Sequence, residues 1–375
     1  MFDSLTSKRA RFLRLVLAVL MTSCSTPLTV NPTPQSSPTS VPAAQIASVP
    51  ASEINAYLNT LAHLGSFSGS VLIARNGEVL LSKGYGFADR EQKILNTPKT
   101  KFRLASITKQ FTAMGIMILE AQGKLDVQGL ICVYLSECPE AWETITIHHL
   151  LTHTSGIPNF TDFPDYQSTM ATPSPPEQTI NRFQDEPLDF QPGERWSYSN
   201  SGYILLGHII ERVSSQSYED FLQENIFTPL QMTNTGYDHN QDDLAVGYKS
   251  IFSKADFVDM SIPYAAGGLY STVEDLYKWD QALYKNELLP QDYLDQIFAA
   301  HVALPNSDGM AYGYGWVVGL EDRRQIITHG GGIEGFVTNI ARYPEDETVI
   351  IILSNQQYTS GIIQPELAKK VFKSR

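Results

Sequence analysis

Apolar residues recur at Ile54, Leu58, Leu61 and Leu64, the spacing of one helical face, and predict a first helix over residues 51–64. The period then changes. Residues 70–75 and 78–83 are short apolar runs on either side of Asn76 and Gly77. Asn-Gly in that setting is a strong hairpin signal, because both turn positions take positive φ. From Phe111 to Leu119 the chain is apolar nearly all round, until Gly123 stops it. A helix of that kind lies inside a domain, not upon it. Helical patterns continue to about residue 300, broken by long loops rich in Pro, Gly, Asp and Asn. The loop over 158–192 carries Pro164, Pro173, Pro175, Pro176, Pro187 and Pro192, and loops of that length within a compact domain commonly serve as lids or binding edges. Strand patterns return over 314–320, 325–328, 336–343 and 348–353, and a closing helix is predicted over 364–372. The order implies an α+β fold. An antiparallel sheet is flanked by helices, with a large, mostly helical insertion between its second and third strands.

At 375 residues the chain has ample length for a real core. Its 40 acidic and 27 basic residues give a net charge of −13. That balance speaks against a nucleic-acid binder, which needs a basic patch or stripe. The first 24 residues read as a targeting segment and not as fold. Lys8, Arg9, Arg11 and Arg14 make a positive stretch, and the apolar run over 13–21 is too short to span a bilayer permanently. The run ends at Thr22, Ser23 and Cys24, which resembles a bacterial lipoprotein signal whose cysteine is lipidated and becomes the new N-terminus. Met21 is untypical of that signal, and an ordinary secretory signal is the alternative. Either implies export to the cell envelope, and the first implies a membrane anchor at Cys24. Residues 25–50 hold no charge and are dense in Ser, Thr and Pro, the composition of an extended tether. A globular body is then expected over 51–375. Within it Cys132 and Cys138 either close a small disulfide loop or stand as two buried thiols; in an exported protein both readings are open.

Four stretches carry candidate chemistry. Ser106 and Lys109 are three apart at the start of the apolar helix, so hydroxyl and amine fall on one face. A partly desolvated lysine works as a base near neutral pH, and unpartnered backbone N–H groups at a helix start can hold an oxyanion. Tyr198 and Asn200 are two apart in a loop after Pro192 and Gly193; if that loop is extended, both side chains point to one side. A phenol held among cations has its phenolate favoured and can shuttle the serine proton, and the Asn200 amide can bond both an ammonium and a substrate carbonyl. His329, Gly330, Gly331 and Gly332 sit at a strand edge, where glycines let a ligand lie against the backbone and Gly332 N–H can join Ser106 N–H as an oxyanion donor. Finally, His149 and His153 have the i, i+4 spacing of metal ligands. No H-E-x-x-H pattern or third ligand accompanies them, so they are read as structural, and no metal or cofactor is expected. Each stretch alone also has an ordinary reading, as a capped helix, a polar turn or a glycine-rich turn.

Taken together, Ser106-Ile-Thr-Lys109, Tyr198-Ser-Asn200 and His329-Gly-Gly331 occur in the order found in the serine β-lactamase and penicillin-binding-protein superfamily. The chain resembles in particular its class C-like branch, which includes DD-peptidases, D-aminopeptidases and esterases. Residues 150–156 and 267–276 extend the resemblance to nearly all of 51–355. It implies that Ser106 is the nucleophile, with Lys109 and Tyr198 sharing base and acid roles. Asn200 would position, His329 and Gly331 would border the substrate's polar end, and the amides of Ser106 and Gly332 would form the oxyanion hole. Many members carry lysine where His329 stands, and a neutral imidazole holds a carboxylate less firmly than an ammonium does. The substitution argues against efficient β-lactam hydrolysis. The expected function is therefore an exported serine hydrolase acting through an acyl-enzyme on a D-amino-acid peptide, amide or ester. The alternatives are a β-lactamase, or a non-catalytic, membrane-anchored protein gripping cell-wall peptide. A peptide or small-molecule substrate is the only partner implied.

Overall fold

A computed structural model describes residues 49–250 and 253–373. The signal with Cys24, and the expected tether up to residue 48, lie outside the described residues. Helix α1 (Val49–His63) starts two residues before the expected 51. Pro50 fits its first turn because a proline has no N–H to leave unpaired there.

The main sheet has eight strands, all antiparallel: β1 (Gly69–Arg75), β2 (Glu78–Tyr85), β3 (Val302–Ala303), β4 (Ala311–Tyr312), β5 (Val317–Glu321), β6 (Arg324–Ile333), β7 (Phe336–Tyr343) and β8 (Thr348–Ser354). Their spatial order is β2-β1-β8-β7-β6-β5-β4-β3. The hairpin at Asn76 and Gly77 forms as expected, with both residues at positive φ. The large insertion does leave after β2, but it returns to the sheet at β3, ahead of the expected 314–320. Strands of two residues are too short for alternation to show. The glycines hid more of β6, which runs on to Ile333 although only 325–328 has a strand pattern.

Strand periodicity feeds two cores. Val71, Ile73, Ile350 and Ile352 face α1 and the closing helix Ile363–Phe372, while Leu72, Val349, Ile351 and Leu353 face the larger core within the insertion. A shift of one residue in register would exchange these faces, so burial on both sides fixes the pairing. Helix α2 (Thr108–Ala121) lies in the larger core with every residue from Thr108 to Leu119 buried. Of its polar members, Gln110 Oε1 accepts from Trp279 Nε1–H (3.1 Å) and Thr112 Oγ1–H donates to the Ala265 carbonyl (2.7 Å), while Gln110 Nε2 is buried with no partner among the described residues. Cys132 and Cys138 are joined by a disulfide, Cα atoms 5.3 Å apart, which decides between the two readings of that pair.

Candidate active site

Ser106 sits in a single 3-10 turn, Ala105–Ile107, that feeds directly into α2. Ala105 has φ +49°, a left-handed conformation that a side chain makes costly, on the order of 1–3 kcal/mol. Such a conformation persists only where its surroundings over-determine it. Here Leu104 N–H donates to the Leu269 carbonyl (2.8 Å), and the Leu104 carbonyl accepts from Thr338 Oγ1 on β7 (2.8 Å). Gly331 on β6 lies close behind. A Cβ at that position would come within 2.3 Å of Leu104 O and of Thr338 Oγ1, so only glycine lets the strand approach the serine turn.

Lys109 comes up from the first turn of α2 and is wholly buried. Its Nζ lies 3.1 Å from Ser106 Oγ, 2.8 Å from Asn200 Oδ1 and 2.8 Å from the Ala266 carbonyl. Burial pushes its pKa well below that of an ordinary lysine. Two of the three partners can only accept. A neutral amine, with two N–H bonds and one lone pair, therefore gives its hydrogens to Asn200 Oδ1 and Ala266 O and turns the lone pair toward the serine hydroxyl. Tyr198 O–H donates to the same Ser106 Oγ at 2.7 Å. The expected phenolate is not what the structure favours. Burial raises the Tyr198 pKa, and the bond to Ser106 opposes it only in part.

Tyr198 and Asn200 straddle a helix start and do not share an extended loop. Ser199 is the extended N-cap and Asn200 the first residue of the helix Asn200–Ser214. Asn200 is fixed on both sides: its N–H donates to Asn159 Oδ1 (2.9 Å) and its Nδ2 to Thr161 Oγ1 (3.2 Å). Neither Asn159 nor Thr161 stands out in the sequence. His153, read from the sequence as structural, has its role here. It is 2% exposed at φ +59°, its carbonyl accepts from Ser197 N–H (2.9 Å), and its Nδ1 accepts from Ser199 N–H (3.2 Å). These bonds bracket Tyr198, whose ring centroid is 4.4 Å from the imidazole. Burial first, then the nearby Lys109, holds His153 neutral. His149, by contrast, caps its own short helix, its Nδ1 accepting from Thr146 N–H (3.2 Å).

On the sheet side, β5 pairs with β6 only as far as Thr328, so among the described residues the same edge of β6 has no strand partner from His329 to Ile333. Gly332 lies in that free stretch and, with Ser106, lines the cavity at the site; a Cβ there would meet nothing within 4 Å. Placing Ser106 and Gly332 beside one cavity is what an oxyanion hole requires. His329 takes other partners than a substrate. It is 6% exposed and does not line the cavity. Its Nδ1–H donates to the Gly330 carbonyl (2.6 Å), so Nε2 accepts from Tyr312 O–H (2.9 Å). Burial, and then Lys109, lower its pKa to about 4. A carboxylate at the site would therefore meet neither an ammonium nor an imidazolium.

The cavity has a volume of about 390 Å³. Phe160, Thr161, Tyr166 and Gln167 bring the 158–192 loop to it as expected, opposite Ile333, Glu334 and Phe336. The loop over 236–262 lines an adjoining cavity of about 250 Å³ that shares Glu334 and Phe336 with the first.

Comparison with known proteins agrees with this geometry. A family profile described as Beta-lactamase matches residues 56–371. The chain is 32% identical over 321 residues to Penicillin-binding protein 4* of Bacillus subtilis (strain 168), covering 80% of this chain and 70% of that one. It is 34% identical over 312 residues to the putative penicillin-binding protein PbpX of the same organism, covering 82% and 75%. The octameric penicillin-binding protein homologue from Pyrococcus abyssi superposes with a TM-score of 0.76 at 28% identity, over 84% of this chain and 76% of that one. D-amino acid amidase from Ochrobactrum anthropi SV3, complexed with L-phenylalanine, superposes with a TM-score of 0.73 at 25% identity, over 86% and 98%.

Proposed function

The chain belongs to the beta-lactamase family and is a serine hydrolase of that fold, and from that premise we propose that it cleaves D-amino-acid peptides, amides or esters through an acyl-enzyme on Ser106. One observation carries the reading: Lys109 Nζ lies 3.1 Å from Ser106 Oγ while its other two partners are acceptor-only oxygens, which leaves the lone pair of the neutral amine to the serine hydroxyl. In the mechanism we infer, Ser106 Oγ attacks the substrate carbonyl carbon while its proton passes to Lys109 Nζ. The oxyanion is held by the backbone N–H groups of Ser106 and Gly332. When the C–N or C–O bond breaks, the leaving atom takes a proton through Tyr198, which stands on the same oxygen and is replenished from Lys109. Water then attacks the ester, giving its proton back along the same path and releasing the acid with Ser106 restored. Asn200 keeps Lys109 in place, and His153 keeps Tyr198 in place.

The relative described as an amidase supports the D-amino-acid side of the reading, and the buried, neutral His329 weighs against β-lactams and other carboxylate-bearing substrates. Ser106→Ala should lose labelling by a fluorophosphonate and by a fluorescent penicillin, and lose turnover of D-amino acid amides, D-Ala-D-Ala peptides and p-nitrophenyl esters. Activity that survives Ser106→Ala would refute the assignment. A wild-type protein that forms no adduct with any acylating probe would favour the non-catalytic binding alternative.

We also propose that the enzyme is exported and held at the membrane by a lipid on Cys24, the tether over 25–50 letting the body stand off the surface. The Cys132–Cys138 disulfide supports an oxidising compartment. If Cys24→Ala leaves both membrane fractionation and fatty-acid labelling unchanged, the anchor is elsewhere.

A further inference from the structure

The charge at the mouth of the site is one-sided. Among the residues lining the cavity at Ser106, Glu334 is the only one with a charged side chain, and no Lys, Arg or His joins it. The cations nearby are already committed. Lys109 is buried behind the serine on its own partners. Arg103, which lines the adjoining cavity, pairs with Asp238 (2.8 Å) and with Asn240 Oδ1 (3.3 Å). Lys254 in the same cavity pairs with Glu91 (2.8 Å). His329 is buried away from the cavity and uncharged at neutral pH. Glu334 itself is half-buried and forms none of the ion pairs found among the described residues; burial raises the pKa of Tyr166 opposite, Glu334 adds to the rise, and Arg182, paired with Asp165 (2.9 Å), opposes it. Glu334 follows Gly332 by two residues, on the β6–β7 turn, and lines the same cavity as the amide assigned to the oxyanion.

We propose that Glu334 selects the substrate, binding an ammonium group on the acyl portion and turning away substrates that carry a free carboxylate there. The inference rests on the acyl-enzyme reading and gives it a substrate class: D-aminoacyl amides and peptides with an unblocked amine. A carboxylate facing an ammonium inside a narrow cleft gains from the lowered dielectric, whereas an anionic substrate meets Glu334 with no cation to offset it. The net charge of −13 biases the approach in the same direction.

Three p-nitroanilides that differ only at the amine test this: D-alanine p-nitroanilide, its N-acetyl derivative and its N-succinyl derivative, charged plus one, zero and minus one. Wild type should rank them in that order by kcat/KM. Glu334→Gln should lower the first about tenfold, leave the second within about twofold and raise the third; one tenfold step is about 1.4 kcal/mol. Glu334→Lys should invert the ranking. The corresponding amides, used as competitors against fluorophosphonate labelling of Ser106, report the same order even where turnover is slow. A ranking that Glu334→Gln leaves intact overturns the proposal. Labelling of Ser106 by the uncharged probe is independent of Glu334, so its loss in wild type would count against the acyl-enzyme reading, and its persistence without a charge ranking would count against Glu334 alone.

Discussion

Lys109 Nζ stands 3.1 Å from Ser106 Oγ with its remaining contacts on Asn200 Oδ1 and the Ala266 carbonyl, so the amine is solvated by protein and not by water. A charged lysine in that place would have three acceptors but no counter-ion, and burial accordingly favours the neutral form. The cost of desolvating the group is what makes it a base at the pH where the enzyme works. Its position also changes how it must be tested. As a residue of the core it leaves a void when cut back to alanine, so Lys109→Met, which keeps the volume, is the informative variant.

Lys109→Met should slow acylation of Ser106 by about 10²–10⁴, the usual worth of acid–base help, while the protein stays folded. Tyr198→Phe should fall in the same range, since it removes only the hydroxyl at 2.7 Å from Ser106 Oγ. The double variant should be little worse than the poorer single one, because the groups act on one proton path. In wild type, the acylation rate should rise with pH and level off well below the pH at which an ordinary lysine loses its proton, since the pKa of Lys109 is lowered. Pre-steady-state acylation by an uncharged ester measures all of these. A plateau reached only near pH 10.5 would show that Lys109 is not the base.

The pair Gly331 and Gly332 separates packing from binding. At Gly331 an added Cβ meets backbone oxygen at 2.3 Å, and neither β6 nor the serine turn can give way cheaply. Gly331→Ala should destabilise by about 1–3 kcal/mol, as over-packing does, and should depress acylation by displacing Ala105 and Ser106. Gly332→Ala meets nothing within 4 Å and should leave the unfolding midpoint nearly unchanged while the methyl group intrudes on the substrate. Urea unfolding beside acylation rates distinguishes the two; equal stability for both variants would mean that β6 is not held against the turn at Gly331.

Much of this site was legible because its chemistry rests on residue types at fixed local spacing. Ser106 and Lys109 share one helical face, and the apolar run behind them announces a buried helix. Asn76-Gly77 announces its hairpin by the φ angles it tolerates. What could not be read is what depends on contacts between distant segments. The Ala266 carbonyl that holds Lys109 belongs to a backbone with no distinguishing side chain. Asn159 and Thr161 are ordinary loop residues until the fold brings them to Asn200. His149 and His153 read as structural despite their metal-pair spacing, but which contact each makes could not be read: the left-handed turn at 153 brings His153 to Tyr198 and leaves His149 as a helix cap. The expectation of a Tyr198 phenolate fails because burial dominates and exposure is a property of the fold; the same burial keeps His329 the neutral imidazole that was expected.

His329 offers the clearest pH signature. In the unfolded chain its pKa is the ordinary 6.5, and in the fold it is about 4. Above pH 6.5 it is neutral in both states and costs nothing. As pH falls from 6.5 toward 4, the unfolded chain takes up a proton that the folded protein does not, so stability is lost over that window. Carried through to pH 4, the loss from this one group is about 3 kcal/mol. Lys109 and His153 face it and share the environment, and His153 has its pKa lowered in the same direction. Wild type should therefore lose stability more steeply below pH 6.5 than the variant His329→Gln, whose amide can still meet Tyr312 O–H and the Gly330 carbonyl but does not titrate. Urea midpoints taken at pH 7, 5.5 and 4.5 give the comparison. The variant is expected to start lower at pH 7, having exchanged a fitted imidazole for an amide, and to converge on wild type as the pH falls. Parallel curves would mean that His329 is protonated in the folded protein over this range, and would restore it as a cation available to a substrate carboxylate.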